Sequence, residues 1–311
     1  MLARFIERSY SKSLVIPIAY NIIVCYYNYV MSKLDFNLKD AVSRRYSMRT
    51  FTSKEVSAET RQKILDYAEK ISNPFGPKIR IKFIEKQTSA EGEKLGTYGI
   101  IKNAKLFLGV AVKNVPGAQE GLGYEFEQLV LYMTSLGLGT CWIGGTFDRG
   151  AFAEAMKPEA DEIFTIICPV GYGTGKKRFF EKIMRLNLKA DSRLPWDKLF
   201  FNGDFENPLS AGACPDYEEA LEFLRQAPSA VNKQPWRVLF DEKKRAFHFF
   251  EKHSMAGAGG TVDIQLVDMG IGMNHFHLAA EEKGLKGHFE KVQPALQLPE
   301  NTDYLTSWVM E

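Results

Sequence analysis

The amino-acid sequence predicts an α+β fold in which two unequal copies of one α/β half are joined in a single chain. Two observations lead to this prediction. Three segments recur in the same order along the chain, and each copy contains a long apolar helix closed by glycine. Recurrence in order marks a repeated structural unit that buries its apolar face against its copy. With 45% hydrophobic and 25% charged residues among 311, the composition is that of a globular protein.

The first recurring segment is a helix that ends in a turn-forming stretch and leads into a hydrophobic strand, and the last is a turn followed by a strand. The paired ranges are helices 64–74 with 220–230, strands 79–84 with 237–240, and turn-strand segments 157–171 with 298–309. One match of this kind arises easily by chance. Three matches in the same order favour duplication.

The middle recurring segment is a helix with almost no charge in its centre. It covers residues 125–139 in the first copy and 268–286 in the second, and Gly137 and Gly284 close it as helix C-caps. A helix that is apolar on all sides is buried. We therefore expect the two helices to pack against each other at the centre of a pseudo-dimer.

The repeats divide the chain into four parts. We predict an apolar extension over residues 1–33, a first half over 34–185, a connector over 186–207 and a shorter second half over 208–311. The apolar run in the extension is at the short limit for a membrane span. Three interpretations of it stay open: a non-native or misassigned start, a peripheral helix, or a membrane anchor.

Charge and cysteine content narrow the class of protein. The formal net charge is +2, which indicates neither a nucleic-acid-binding nor a membrane-binding protein. Four cysteines lie far apart without a Cys-x-x-Cys pair, so we predict free thiols in a reducing, cytoplasmic setting. The nearest histidine pair, His275 and His277, does not predict a metal site, and we expect no bound metal.

The first candidate binding segment is rich in arginine and follows a short amphipathic helix at about residues 36–42. Guanidinium groups and a serine hydroxyl within six residues suit a phosphate group. The residues of this segment are Arg44, Arg45, Tyr46, Ser47 and Arg49. A solvated basic turn is the alternative, and for the cluster alone it is the preferred one.

The second candidate is a glycine turn. A short strand containing Trp142 and Ile143 leads into Gly144 and Gly145. Glycine lets the backbone approach a flat ligand closely, and an exposed N–H there can donate to a ring nitrogen. An ordinary glycine-rich turn is the alternative.

The third candidate is a loop between a helix and a strand, in which Pro228, Ser229 and Asn232 provide rigidity and neutral polar groups. Such groups recognise the polar edge of a heterocycle, although the loop alone is only a turn. The fourth is a basic run with Lys176 and Arg178, which does not fit the P-loop spacing. A second phosphate contact and a solvated loop are equally good interpretations of this run.

In combination, the motifs Arg-Arg-x-Ser-x-Arg-x-Phe, Gly-Leu-Gly-x-Cys-Trp-Ile-Gly-Gly and Pro-Ser-x-x-Asn-x-Gln-Pro-Trp resemble those of nitroreductase-family flavoproteins. The resemblance extends from about Phe36 to the C-terminus. It implies a nitroreductase-like α+β fold with mainly antiparallel central sheets and FMN as the cofactor. In that family FMN lies at a homodimer interface. One subunit supplies the arginine-serine segment and the glycine turn, and the other supplies the Pro-Ser-x-x-Asn loop.

The residues that match the family's FMN ligands are Arg45, Tyr46, Ser47 and Arg49 at the phosphate and ribityl chain, Gly144 and Gly145 under the flavin N5 edge, and Pro228, Ser229 and Asn232 from the partner subunit. Each set occurs in one copy only. The resemblance therefore implies that tandem halves replace the dimer, with one complete site, one FMN per chain and a monomeric protein.

The resemblance also implies a function. FMN would take hydride from NAD(P)H and pass it to a nitroaromatic, quinone or similar planar acceptor in a ping-pong mechanism. Because the flavin carries the chemistry, no catalytic side chain is predicted. Two alternatives stay open: a flavin-binding or degenerate relative without NAD(P)H chemistry, and a structural or membrane-associated protein whose behaviour depends on residues 14–30.

Overall fold

The structure, a computed structural model, describes residues 34–85, 88–89, 92–93, 96–175, 178–254 and 262–311. The chain divides into two compact units, Met1–Asp35 and Phe36–Glu311. The elements described below belong to the second unit. The apolar extension predicted over residues 1–33 lies outside the described residues.

The described residues form seven α-helices. They are α1 (Leu38–Arg44), α2 (Ala58–Lys70), α3 (Ala118–Ser135), α4 (Arg149–Met156), α5 (Phe179–Asn187), α6 (Glu218–Gln226) and α7 (Ile264–Glu282). Polar side chains begin several of them, because the first N–H groups of a helix need acceptors. Asn37, Ser57, Asp148 and Asp263 each accept a backbone hydrogen bond at the N-cap of α1, α2, α4 and α7 respectively.

A four-stranded antiparallel sheet, called here the first sheet, has the strand order β1-β4-β6-β5. Its strands are β1 (Arg80–Glu85), β4 (Leu106–Lys113), β5 (Gly139–Thr140) and β6 (Glu162–Gly171). The residues β2 (Thr88–Ser89) and β3 (Gly92–Glu93) form a separate antiparallel pair. Strand β4 is buried on both faces except at its last residue, so the first sheet contributes a continuous apolar layer to the core.

A six-stranded sheet, the second sheet, has the order β11-β12-β10-β9-β7-β8. Its strands are β7 (Phe200–Asn202), β8 (Asp204–Pro208), β9 (Trp236–Asp241), β10 (Ala246–Lys252), β11 (Gly287–Glu290) and β12 (Thr302–Met310). Four strands of the second sheet, in the order β9-β10-β12-β11, correspond to β1-β4-β6-β5 of the first sheet. In both sheets the last strand of the four in sequence lies between the second and the third. Strands β7 and β8 extend the second sheet beyond β9, and they lie within the predicted connector 186–207 and at its end.

The two long helices, α3 and α7, pack against each other at the centre, as their apolar sequences predict. Glycine makes the close approach possible. A Cβ atom added at Gly123 of α3 would meet the carbonyl oxygen of Val267, and one added at Gly270 of α7 would meet that of Glu120. The two contacts are reciprocal, since each glycine faces the residue three positions before the other glycine. Such a contact is the geometry of a twofold-related pair.

None of the helices in the described part of the chain has the length and apolar character needed to span a membrane. The cysteines Cys141, Cys168 and Cys214 are free thiols, and the first two are buried. Burial raises the pKa of both Cys141 and Cys168, which makes these thiols unreactive.

Candidate functional site

A cavity of about 1390 Å³ lies where α1, the glycine turn, α5 and the start of α7 meet. Twelve of the fourteen predicted cofactor-binding residues line it. They are Arg44, Arg45, Tyr46, Ser47, Arg49, Trp142, Ile143, Gly144, Gly145, Pro228, Ser229 and Asn232. The structure thus brings three segments that are up to 188 positions apart in sequence (44 to 232) to one cavity.

Backbone pairing holds the arginine-serine segment beside the glycine turn. Ser47 forms a parallel bridge with Thr140, and the N–H of Met48 donates to the carbonyl oxygen of Thr140 at 2.8 Å. Ile143 is bridged in turn to Ile167 of β6. The wall of the cavity is therefore tied to the first sheet, and the arginine side chains project from a rigid backbone.

The glycine turn is also in contact with the start of α7. A Cβ atom at Gly144 would lie 3.0 Å from Cδ1 of Ile264, so a larger residue would push against this helix. A Cβ atom at Gly145 would meet nothing within 4 Å and faces open space. At Gly145 the backbone is accessible to a ligand in the cavity.

The buried carboxylate of Glu127 orients Arg45. Nε of Arg45 lies 3.7 Å from Oε1 of Glu127 in α3, and Nε2 of His275 in α7 lies 3.0 Å from the same oxygen. Nε1 of Trp142 donates to the other oxygen, Oε2, at 2.8 Å. Glu127 is fully buried, and a buried carboxylate is stable only with such partners. It orients both Arg45 and Trp142 at the cavity wall.

The neighbouring arginines, Arg44 and Arg49, contact backbone carbonyl groups and not a buried carboxylate. Nη2 of Arg44 donates to the carbonyl oxygen of Thr134 at 2.6 Å, near the C-terminus of α3, where a cation complements the helix dipole. Nη1 of Arg49 makes only a long contact, 3.4 Å, with the carbonyl oxygen of Ser47. Arg49 therefore keeps donor capacity for a ligand.

The loop from the second half rests on a buried carboxylate of α7. Both side-chain oxygens of Asp268 accept from the N–H of Ala230, at 3.0 and 2.9 Å. Burial raises the pKa of Asp268 well above its usual value. Inside the loop, Oγ of Ser229 accepts from the N–H of Gln234 at 2.8 Å. These bonds hold the loop at the cavity edge although its backbone is strained.

The strain lies at Val231, which has a φ of 44°. A β-branched residue rarely adopts a left-handed conformation, and such outliers concentrate at binding sites. Asn232 follows with a φ of 59°, a conformation that asparagine tolerates better than most residues.

The side chain of Asn232 is bound to the connector. Its Nδ2 donates to the carbonyl oxygens of Lys189 and Ser192, at 2.7 and 3.1 Å, and its Oδ1 lies 3.5 Å from Nη1 of Arg193. Gln234 adds a bond from the N–H of Leu194 to Oε1 at 2.8 Å. Asn232 thus lines the cavity and at the same time positions the segment that carries Arg193.

Arg193 is a site residue that the sequence did not reveal. Its Nε atom is buried and has no hydrogen-bond partner among the described residues. Burial, followed by the nearby charge of Arg45, lowers the pKa of Arg193 to about 10. A buried guanidinium beside a second one is stabilised when an anion binds between them.

The charged side chains that line the cavity carry a net positive charge. Six arginines stand against three aspartates: Arg44, Arg45, Arg49, Arg149, Arg185 and Arg193 against Asp191, Asp263 and Asp268. One aspartate, Asp191, pairs with Arg185, and Asp268 is bound to the loop backbone. The remaining guanidinium donors and the open backbone at Gly145 fit a ligand with a phosphate group and a flat ring, as FMN has.

The structure does not bring Arg178, one of the predicted cofactor-binding residues, to the cavity with the other segments. Its Nε donates to Thr50 at 2.9 Å and Glu181 at 2.7 Å, and its Nη2 donates to the carbonyl oxygen of Ile100 at 2.7 Å. The guanidinium donors of Arg178, which precedes α5, are therefore used in hydrogen bonds within the protein. The other residue predicted in this run, Lys176, lies outside the described residues.

Glu127 and Asp268 were also missed as site residues, but a signal for them existed. Both are buried acidic residues inside helices whose other buried residues are mostly apolar. An acidic side chain in a buried helix requires a fixed polar partner, so each one marks a position where the helix holds another element.

The fold and the site define an α+β protein with a cavity, built by both halves, that suits an anionic, planar cofactor. The sequence profile of the family described as "Putative TM nitroreductase" matches residues 37–280, well over half of the chain. The chain therefore belongs to this nitroreductase family. No curated protein sequence matches it.

The fold is also that of a solved structure. A protein from Thermotoga maritima, described as a "putative nitroreductase", is 19% identical, with a TM-score of 0.53, over 90% of this chain and 96% of its own. An FMN-dependent nitroreductase from Clostridium difficile is 21% identical over 45% of this chain and 90% of its own, with a TM-score of 0.35. An iodotyrosine deiodinase bound to FMN and 3-iodo-L-tyrosine is 17% identical over 46% and 92%, with a TM-score of 0.35.

Proposed function

We propose that this protein is an FMN-dependent oxidoreductase that transfers hydride from NAD(P)H to a nitroaromatic, quinone or similar planar acceptor in a ping-pong mechanism. The observation that carries the proposal is the arginine-lined cavity in which the arginine-serine segment, the glycine turn and the Pro-Ser-x-x-Asn loop meet. Each segment alone has an ordinary structural explanation. Their convergence at one cavity of about 1390 Å³ is what supports a cofactor site with room for a second planar molecule.

Arg45, Ser47 and Arg49 would bind the phosphate and ribityl chain of FMN, with Arg193 adding positive charge from the connector. Guanidinium groups suit this role because they donate in a fixed fork and keep their charge at any physiological pH. Gly145 would present open backbone to the ring. When bound, FMN supplies the hydride chemistry, so that the protein has only to anchor, orient and stabilise charge.

The six arginines that line the cavity have a second role in the proposal. Reduction places negative charge on the cofactor, and preorganised positive charge lowers the free energy of a charged product in a site with little water. The same field favours binding of the anionic phosphates of NAD(P)H. The residues of the cavity therefore favour both cofactor anchoring and its reduction.

We also propose that the chain arose by duplication and retains one site of two. The reciprocal contacts pair Gly123 of α3 with Gly270 of α7 as equivalent residues. Counting along the chain from this pair, Tyr124 is the equivalent of Ile271, and Phe289 is the equivalent of Trp142. Ile271 and Trp142 line the cavity. At the equivalent position, the ring of Phe75 packs 5.6 Å from that of Tyr124 and 5.1 Å from that of Phe289, between centroids. These contacts support the proposal that a phenylalanine occupies the position of a second ligand.

The free thiols of the three described cysteines are compatible with the reducing, cytoplasmic setting that the cysteine spacing predicts. Because both halves of the site lie in one chain, we propose that the protein works as a monomer. One FMN per chain follows from the same arrangement.

An absorption spectrum of the purified protein, recorded without oxygen before and after addition of NADPH or NADH, tests the proposed reaction. We expect a yellow protein with a flavin spectrum that bleaches on addition of the nicotinamide and returns when a quinone is added. A flavin spectrum that does not bleach would favour the flavin-binding alternative. A colourless protein that takes up no FMN on titration contradicts the proposal.

A further inference from the structure

A second cluster of ligand-type side chains lies where β10 ends and α7 begins. Glu251 is the penultimate residue of β10, His253 follows the strand, and Asp263 is the N-cap of α7. One carboxylate or imidazole atom from each of these three residues lies within 4.8 Å of the others. Nδ1 of His253 is 3.2 Å from Oε1 of Glu251, close to the spacing of roughly 3.4 Å between two ligands of one tetrahedral ion.

Glu251 is a buried residue with a carboxylate oxygen that lacks a hydrogen-bond donor in the described part of the chain. Only 1% of this residue is exposed, and its Oε1 accepts no hydrogen bond from the described residues. An ionised carboxylate in such a position is strongly disfavoured without a compensating cation or donor. The imidazole of His253 lies beside this oxygen, with its Nδ1 at 3.2 Å.

The histidine is held as a metal ligand is held. Nε2 of His253 lies 2.8 Å from Oδ2 of Asp303, on β12. A carboxylate on one ring nitrogen fixes the tautomer and directs the lone pair of the other nitrogen towards its target. Here that other nitrogen is Nδ1, on the side of Glu251.

The charge around the cluster is negative. Besides Asp263, the carboxylates of Asp303 and Glu120 act on Glu251, and the positive charge of His253 opposes them. A divalent cation at this position would neutralise a concentration of carboxylates that the described side chains leave uncompensated.

We propose that Glu251, His253 and Asp263 bind a divalent transition-metal ion, with Zn²⁺ as the first candidate. One imidazole nitrogen and two carboxylates form a donor set that suits Zn²⁺ better than Mg²⁺, which takes oxygen ligands and keeps its water. A water molecule completes four-coordination.

The ion would tie the end of β10 to the first turn of α7. That turn is followed by Val267 and Asp268, which line the cavity, and Asp268 holds the loop at Ala230. The proposed site is therefore structural. It stabilises the part of the second half that reaches the cavity and takes no part in the redox chemistry.

The test is a calorimetric titration of the full chain with ZnSO₄ after removal of metals with a chelator, together with a melting curve. We expect one Zn²⁺ per chain and a rise in Tm. Asp303→Asn should weaken the affinity about 10- to 100-fold, as loss of a carboxylate behind a ligating histidine does. His253→Gln should weaken it further. Mg²⁺ at the same concentration should give no rise in Tm.

The matched control is His288→Gln, because His288 is also paired with a carboxylate, at 3.3 Å from Glu290, but lies outside the cluster. We expect it to bind Zn²⁺ like the unaltered chain. Unchanged binding in His253→Gln, or no Zn²⁺ binding at all, would overturn the proposal. Since His253 is partly exposed, this variant is expected to fold, and circular dichroism checks that it does. Flavin content is measured separately, so loss of the FMN proposal leaves this result intact.

Discussion

Replacing Arg45 with alanine is expected to weaken FMN binding by about 10- to 100-fold. The change removes a charge-assisted hydrogen bond to phosphate, which contributes about 1.5–3 kcal/mol. A factor of ten in the dissociation constant corresponds to about 1.4 kcal/mol. Arg45 is nearly buried and is oriented by Glu127, so water does not replace the lost donor effectively.

Flavin fluorescence titration measures this effect on the full-length chain. Arg61→Ala is the matched control, because it removes an arginine that is paired with Glu85 and does not line the cavity. The control should bind FMN like the unaltered protein. If Arg45→Ala binds FMN with the same dissociation constant as Arg61→Ala, Arg45 is not a phosphate ligand.

Replacing Asn232 with alanine is expected to weaken FMN binding about tenfold. Two hydrogen bonds to the connector are lost, each contributing about 0.5–1.5 kcal/mol, and alanine tolerates the positive φ less well than asparagine. The loop and the segment of Arg193 then become less ordered before the ligand binds. FMN binding must provide the ordering free energy, which lowers affinity.

Asn301→Ala is the control for this variant. Asn301 also has a positive φ, 53°, but it lies in the turn before β12, away from the cavity. It should lose stability without losing FMN affinity, and a melting curve beside the fluorescence titration separates the two effects. Equal FMN affinities for Asn232→Ala and the unaltered chain would mean that the second half does not complete the site.

Much of the fold could be predicted from the sequence because the apolar composition of a helix shows that the helix is buried. Two helices that are apolar on every side have to be covered, and each was the best available cover for the other. The reciprocal glycines Gly123 and Gly270 could not be recognised in advance as contact points, because glycine also serves in turns and caps. Strands β7 and β8 were placed in a connector, since short strands without alternation give a weak signal.

The site could be predicted only as far as local motifs extend. The arginine-serine segment, the glycine turn and the Pro-Ser-x-x-Asn loop each have a recognisable pattern. Arg193 has none, because its role depends on how the connector folds back onto Asn232. Arg178 illustrates the opposite case. Its basic neighbours suggested a phosphate contact, whereas the structure gives its guanidinium to Thr50 and Glu181.

The measurement that tests the central claim most directly is the stoichiometry of FMN binding, determined by titrating the purified chain at a concentration far above the dissociation constant. Because one cavity is lined by both halves, and because we propose that Phe75 fills the equivalent position, we predict saturation at one FMN per chain. Saturation at two FMN per chain would show two working sites and contradict the asymmetric arrangement. An absence of FMN binding would contradict the cofactor site itself.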